Sequence, residues 1–398
     1  MTARQTIPAL VLAACGAAAH VHAQAQAQAP APPAPTVRPA EAMRAAVENY
    51  AELAHRAYAE ALDRARAFQG EVRAFVRAPA RSSDAKLARL RQAWLDMRPA
   101  YGRTETFRFY QGPIDFGKQP DGSMGPEPLI DGWPVNEANI EYIINDASVP
   151  ITRATLVERN ARDDEADVTT GFHALEFLLW GPDTDPDGPG NRPARDFVGA
   201  GVAARRRAYL QVAADLLVEN LEYVVAEWRP ARDNYRARFL AMKANLGVGH
   251  MLTGMSVLAG FEVATERLTT ALDSGSQEDE HSCFSDSTHL DIAADVQGIA
   301  DVYYGRGTRY QGAALASAVN AVNPAIGARI AAQLASSVEL ARALDVPFDR
   351  TLATAPGSPQ RQKVEALVTA LQDLAGLLRL GGGVLGVNLT RMTEGDND

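Results

Sequence analysis

The run Gly171-Phe-His-Ala-Leu-Glu-Phe-Leu-Leu-Trp-Gly181 carries just two ionisable side chains, His173 and Glu176, in otherwise apolar company. Three residues apart on a helix, an imidazole and a carboxylate share one face. Helix punctuation stands at both ends. Thr169 and Thr170 are candidate N-caps, and Gly181-Pro182 supplies a terminating glycine followed by a residue that cannot continue a helix. A short helix that is apolar on nearly every side belongs in a core, where an unpaired ionised carboxylate is costly. Glu176 therefore needs a partner: His173, an arginine or a metal ion. With Thr170 as N-cap, His173 falls in the first turn, where the positive helix end favours the neutral imidazole that binds metal.

Imidazole and carboxylate together can hold zinc or iron, but such a site needs three or four ligands. The peptidase motifs His-Glu-x-x-His and His-x-x-Glu-His place two histidines on one helix. Here Phe177 stands where the second histidine of the inverse motif would be, so this helix gives at most two ligands. The candidates for the rest are Glu105, Asp115, Glu280, His281, Asp286, His289 and Asp291. They form a hard carboxylate and imidazole set, which suits iron without selecting it. Glu278-x-x-His281 has the spacing of di-iron helices in bundles, but a full set of such pairs is missing. Each candidate also has a plainer reading. His173 and Glu176 could be a buried ion pair that fixes helix packing, His281 and His289 could make structural hydrogen bonds, and Asp286 and Asp291 could cap helices.

The elements that must position these groups are helical. Val47, Tyr50, Ala54, Ala57, Ala61, Ala65, Phe68, Val72 and Phe75 recur at steps of three or four. A second stripe runs through Leu87, Leu90, Trp94, Met97 and Tyr101, with Asp84 as a candidate cap and Pro99 as a candidate kink. Helices are further expected over 136–144, 205–228, 252–272, 313–322 and 328–344, and along the stripe from Val364 to Leu378. The loop 181–193 contains DTDPDGPG, acidic like a calcium loop but without the EF-hand ligand pattern, and it reads as a solvated loop. A loop is expected over 303–312. No β run with period two emerges, so the fold class is all-α.

With 398 residues, 46% hydrophobic and 22% charged, the chain can build substantial cores. A net charge of −10 argues against nucleic acid as a partner. No transmembrane helix is expected beyond the N-terminus. No Gly-x-Ser-x-Gly, Gly-x-Gly-x-x-Gly or Walker motif is present. Arg4 and the apolar run from Ile7 to Ala19 have the form of an export signal. Two endings compete. Leu12-Ala-Ala-Cys15 is a lipoprotein form, giving a leader over 1–14 and a lipid on Cys15, and Val21-His-Ala23 is an ordinary cleavage site, giving a leader over 1–23. The Ala/Pro/Gln tract over 24–40 reads as a tether. Beyond Cys15 only Cys283 remains, and it reads as a buried small apolar residue.

Gly171-x-His173-x-x-Glu176 in its TTGFHALEFLLWG setting resembles the signature of the imelysin family of bacterial envelope proteins, which includes iron-regulated protein A and an insulin-cleaving peptidase class. Tyr101-Gly-Arg-Thr-Glu105, Gly112-Pro-Ile-Asp115, Trp133-Pro134, the run from Gln277 to Asp286, and Thr288-His289-x-Asp291 look like further blocks of that family, in family order. The resemblance implies two helical-bundle domains related by internal duplication, expected over 41–230 and 231–398. It implies a metal, iron, or an iron-bearing ligand, in a protein of the periplasm or one lipid-anchored to the outer membrane that serves iron acquisition, with an envelope protein as a further partner. It also implies the rival reading of a zinc metallopeptidase with Glu176 as catalytic base. A third reading is an envelope interaction module with no small ligand. The family blocks lead us to expect a ligand from Glu105 or Asp115 near the His-x-x-Glu helix.

Overall fold

The computed structural model describes residues 38–78, 83–115, 125–185, 187–387 and 389. The export signal, Cys15 and the tether up to residue 37 lie outside them. The first stripe forms α1, Pro39–Arg77, longer than the periodic core of the pattern, with proline in its first turn. Val47, Tyr50, Ala54, Phe68 and Val72 on its inner face are fully buried. The second stripe forms α2, Asp84–Gly102, which carries Pro99 in its last turn. Asp84 does not cap it. Ser83 holds the N-cap position, and Asp84 Oδ1 instead accepts the Ala194 N–H at 3.0 Å.

Four short helices follow: α3, Glu127–Ile130; α4, Glu137–Asn145; α5, Arg153–Arg159; and α6, Gly171–Trp180. All ten residues of α6 are buried. Thr170 has the extended backbone of an N-cap, but its hydroxyl donates to the Leu129 carbonyl at 3.1 Å rather than capping. Gly181, at φ 74°, ends the helix as its composition predicts. Then come α7, Val202–Trp228; α8, Tyr235–Ala241; and α9, Ala244–Val257. The last continues as a π-helix over Leu258–Thr269 and closes as α10, Thr270–Ser274.

The continuous helix Ala244–Ser274 is long and apolar enough to cross a membrane, but 67% of its most apolar window is buried among its neighbours. Gly254 lets it do so: a Cβ there would stand 2.4 Å from the Thr106 carbonyl oxygen. The chain then forms α11, Thr288–Tyr304, a helix the apolar periodicity did not reveal. Its buried face alternates Ile292, Val296 and Ile299 with Asp291 and Asp295, so charge interrupts the stripe. The expected loop over 303–312 is the end of α11 and a tiny antiparallel hairpin, β1 (Arg306–Gly307) with β2 (Tyr310–Gln311), in which Arg306 pairs with Gln311. α12 (Leu315–Val322), α13 (Pro324–Arg342), α14 (Asp349–Leu352) and α15 (Pro359–Val384) complete the chain.

Among the described residues the fold is all-α apart from that hairpin. α1 packs on α2, α7, α9 and α12, α11 lies between α2 and α13, and α15 covers the π stretch, α9 and α13. Residues from both sides of position 230 share one continuous hydrophobic core.

Candidate metal centre

Gly171 at φ 83° is where the site begins. A Cβ there would lie 2.4 Å from the Ile130 carbonyl oxygen, so glycine alone lets α6 start against the end of α3. That approach sets Asp131 beside the first turn of α6. His173 Nδ1 meets Glu176 Oε2 at 2.9 Å, and His173 Nε2 stands 3.3 Å from Asp131 Oδ1 without an aligned hydrogen bond.

His281, from the segment ahead of α11, completes the group. Its ring centroid is 4.6 Å from that of His173, at 66°. Asp291 Oδ2 holds its Nδ1 at 3.2 Å, while its Nε2 lies 3.9 Å from Asp131 Oδ2. One ligand atom from each of Asp131, His173 and His281 can be chosen so that all lie within 4.8 Å of one another. All three side chains are buried. Trp133 forms one wall, edge-on to His281 at 5.7 Å, and donates its indole N–H to the Glu280 carbonyl at 2.8 Å.

Supporting groups surround this trio. Ser285 donates both its backbone N–H, at 2.9 Å, and its hydroxyl, at 2.7 Å, to Glu176 Oε1. Arg98, fully buried, donates to Asp131 and, at 3.0 Å, to Asp291 Oδ1. Burial opposes charge on both aspartates, but the guanidinium and the imidazoles outweigh it and hold them well below the ordinary carboxylate range. The two imidazoles diverge. Burial lowers His173, yet contacts with Asp131 and Glu176 overcome it and raise its pKa. His281 is pushed down to about 3, by burial first and then by Arg267, so its imidazole is neutral at any ordinary pH.

The other candidates stand elsewhere. Glu105 accepts from Arg108 and, at 2.8 Å, from Arg267, which also binds Asp295 at 2.8 Å and Glu262 at 3.0 Å. Glu262 and Arg267 are five residues apart, and the π-helix brings that spacing onto one face. Asp115 accepts backbone N–H groups from Phe109, Tyr110 and Gly112, which closes its loop. His289 is half-buried on α11. Asp291 is a buried partner of Arg98 and His281 rather than a cap. Glu280 and Asp286 face Asp183 and Asp349 in a separate acidic cluster. Burial and neighbouring carboxylates push Asp286 to about 8, and burial with Asp183 pushes Asp349 to about 6.

Sequence reasoning missed Arg98 and Asp131. Both had a signal. Arg98 lies four residues after Trp94 and three before Tyr101, hence on the buried stripe of α2. Asp131 sits two residues before Trp133-Pro134, inside a block already singled out.

An all-helical fold with a buried Gly-x-His-x-x-Glu helix defines a class, and the comparisons identify it. The imelysin family profile matches residues 54–378, and the chain belongs to that family. Solved structures share the fold, two among them as follows. One, named as an iron-regulated protein A precursor from Parabacteroides distasonis ATCC 8503, is 18% identical with a TM-score of 0.70, over 87% of this chain and 95% of that one. The other, an imelysin-like protein from Psychrobacter arcticum 273-4, is 13% identical with a TM-score of 0.60, over 88% of this chain and 97% of that one. No curated protein matches.

Proposed function

We propose that this protein is an exported envelope protein that binds a metal ion, iron, through Asp131, His173 and His281, and serves iron acquisition. The observation that carries the reading is the convergence of two imidazoles and one carboxylate, with each imidazole held through Nδ1 by its own carboxylate. That arrangement fixes the tautomer that leaves Nε2 free for a ligand bond. Two histidines and a carboxylate form the ligand set of non-haem iron sites. His173 Nε2 and Asp131 Oδ2 are buried without hydrogen-bond partners, which suits a bound cation. Charge agrees. Arg98 pairs with Asp131 and Asp291 while Glu176 pairs with His173, so carboxylates outnumber the guanidinium they share, which suits a bound cation.

Iron itself is favoured by the name of the Parabacteroides distasonis relative and by the family. The centre draws Asp131 and His173 from the first expected bundle, 41–230, and His281 and Asp291 from the second, 231–398, as a site between duplicated halves would. Export follows from the leader over 1–23, or from lipid on Cys15 after 1–14. An envelope protein that hands the metal on is the partner this role requires. Hydrolysis is less well supported, because Glu176 is fully buried with both carboxylate oxygens engaged.

Metal analysis and calorimetry of the mature protein test the reading. Ferrous iron should bind one per chain, and His173→Ala should abolish binding. Unchanged binding in both His173→Ala and Asp131→Asn would remove the site.

A further inference from the structure

Outside that centre, the acidic loop that composition reads as solvated is exposed over much of its length but is pinned to the protein at Asp183 and Gly190. Asp183 Oδ1 accepts the Asp185 N–H at 3.0 Å, and the Gly190 N–H donates to the Phe284 carbonyl at 3.0 Å, which ties the loop to the segment holding Asp286. Asp183, Asp286 and Asp349 offer carboxylate oxygens that all lie within 4.8 Å of one another. A cluster of acids alone would mean little. Here, however, Asp349 is 3% exposed and neither of its carboxylate oxygens has a hydrogen-bond donor. Glu280, fully buried behind it, meets Asp349 carboxyl to carboxyl; its Oε1 receives no N–H or hydroxyl donor, and its other oxygen receives a long 3.5 Å contact from the Thr288 hydroxyl. Asp183 and Asp286 meet carboxyl to carboxyl and the Gln277 side chain faces Asp183, but Asp183 Oδ2 and Asp286 Oδ1 receive no N–H or hydroxyl donor. Arg350, next in sequence to Asp349, turns outward to Asp187 at 3.0 Å instead of neutralising the group.

Buried carboxylates without N–H or hydroxyl donors are costly when ionised; shared protons relieve them in the empty site, and a shared cation relieves them with all of them ionised. Oxygen-only ligands select a hard ion. Calcium binds oxygen at about 2.4 Å, so two of its ligands stand no more than about 4.8 Å apart, a limit that this trio meets. Its tolerance of irregular geometry suits three ligands drawn from a loop, a turn and a short helix. We propose that Asp183, Asp286 and Asp349, with Glu280 behind them, form a second cation site that takes calcium and ties the loop after α6 and α14 to the segment before α11.

The test uses the full mature chain, stripped with a chelator and titrated with calcium alone. Calcium at about 1 mM, the range of extracellular calcium modules, should bind one per chain by calorimetry and raise the unfolding temperature. Asp349→Asn should fold, because it relieves repulsion in the stripped protein, and should lose both the heat and the shift. Asp286→Asn, at a less buried position, provides the same readout independently. No heat and no shift in the wild type would overturn the proposal, as would calcium binding retained in either variant that folds. A response to manganese or magnesium but not to calcium would overturn it too. None of these outcomes depends on iron binding at His173.

Discussion

Glu176 and His173 form a buried pair, Oε2 to Nδ1 at 2.9 Å, in which the carboxylate is the supporting member. Its other oxygen accepts from Ser285, so in the proposed centre Glu176 aims the imidazole rather than binding the ion itself. Glu176→Gln should therefore weaken metal binding by about 10–100-fold, the usual effect of losing a supporting carboxylate. His173→Ala should remove it. Calorimetry on the two variants separates the roles, and equal loss in both would make Glu176 a ligand instead.

Arg98 offers a test of scaffold against site. It binds Asp131 and Asp291 in a fully buried position, so Arg98→Met leaves two carboxylates without their cation. Breaking such a pair costs about 3–5 kcal/mol. A metal ion on Asp131 supplies part of the missing charge, so the loss should shrink when iron is present. Urea unfolding with and without metal reads this difference. A loss that is the same in both conditions would mean the cluster is purely structural.

Much of this was legible in the sequence. The boundaries of α6 follow from Thr170 and Gly181-Pro182, and the need of Glu176 for a partner follows from its place in an apolar run, with His173 one of three partners its spacing allowed. His281 and Asp291 were candidates on residue type. Their convergence on Asp131 was not readable, because it depends on how α3, α6 and the start of α11 meet in space. α11 stayed hidden because Asp291 and Asp295 occupy positions on its buried face where the pattern expects apolar residues. The π-helix was equally invisible, since its composition is that of an ordinary core helix and the partners of its Arg267, Glu105 and Asp295, lie far off in sequence.

Gly171 should be the least replaceable residue of the signature that never touches a ligand. Gly171→Ala meets the Ile130 carbonyl at 2.4 Å and must hold φ 83° with a side chain present. Either effect costs on the order of 1–3 kcal/mol. Relief requires α6 and the end of α3 to separate, which moves His173 away from Asp131. Both the unfolding temperature and iron affinity should fall, and an unchanged affinity would show that the α3–α6 contact does not position the centre.

His250 provides a pH signature that is independent of both cation sites. It lies on α9, stacked on Tyr110 with ring centroids 5.1 Å apart and near Phe239, and its Nδ1 has no hydrogen-bond partner. Burial pushes its pKa down to about 4. In the unfolded chain an ordinary histidine titrates near about 6.5. A depressed imidazole means that the unfolded state binds the proton more readily, so its contribution to stability is intact above about pH 6.5. That contribution is lost progressively as the pH falls toward 4, by on the order of 3 kcal/mol. His250→Phe keeps the stacking and cannot take up a proton. Denaturation at a series of pH values should show the wild type losing more stability than the variant between about pH 6.5 and pH 4, with the two curves parallel above that range. Parallel curves throughout would show that His250 stays solvated enough to accept its proton in the folded protein.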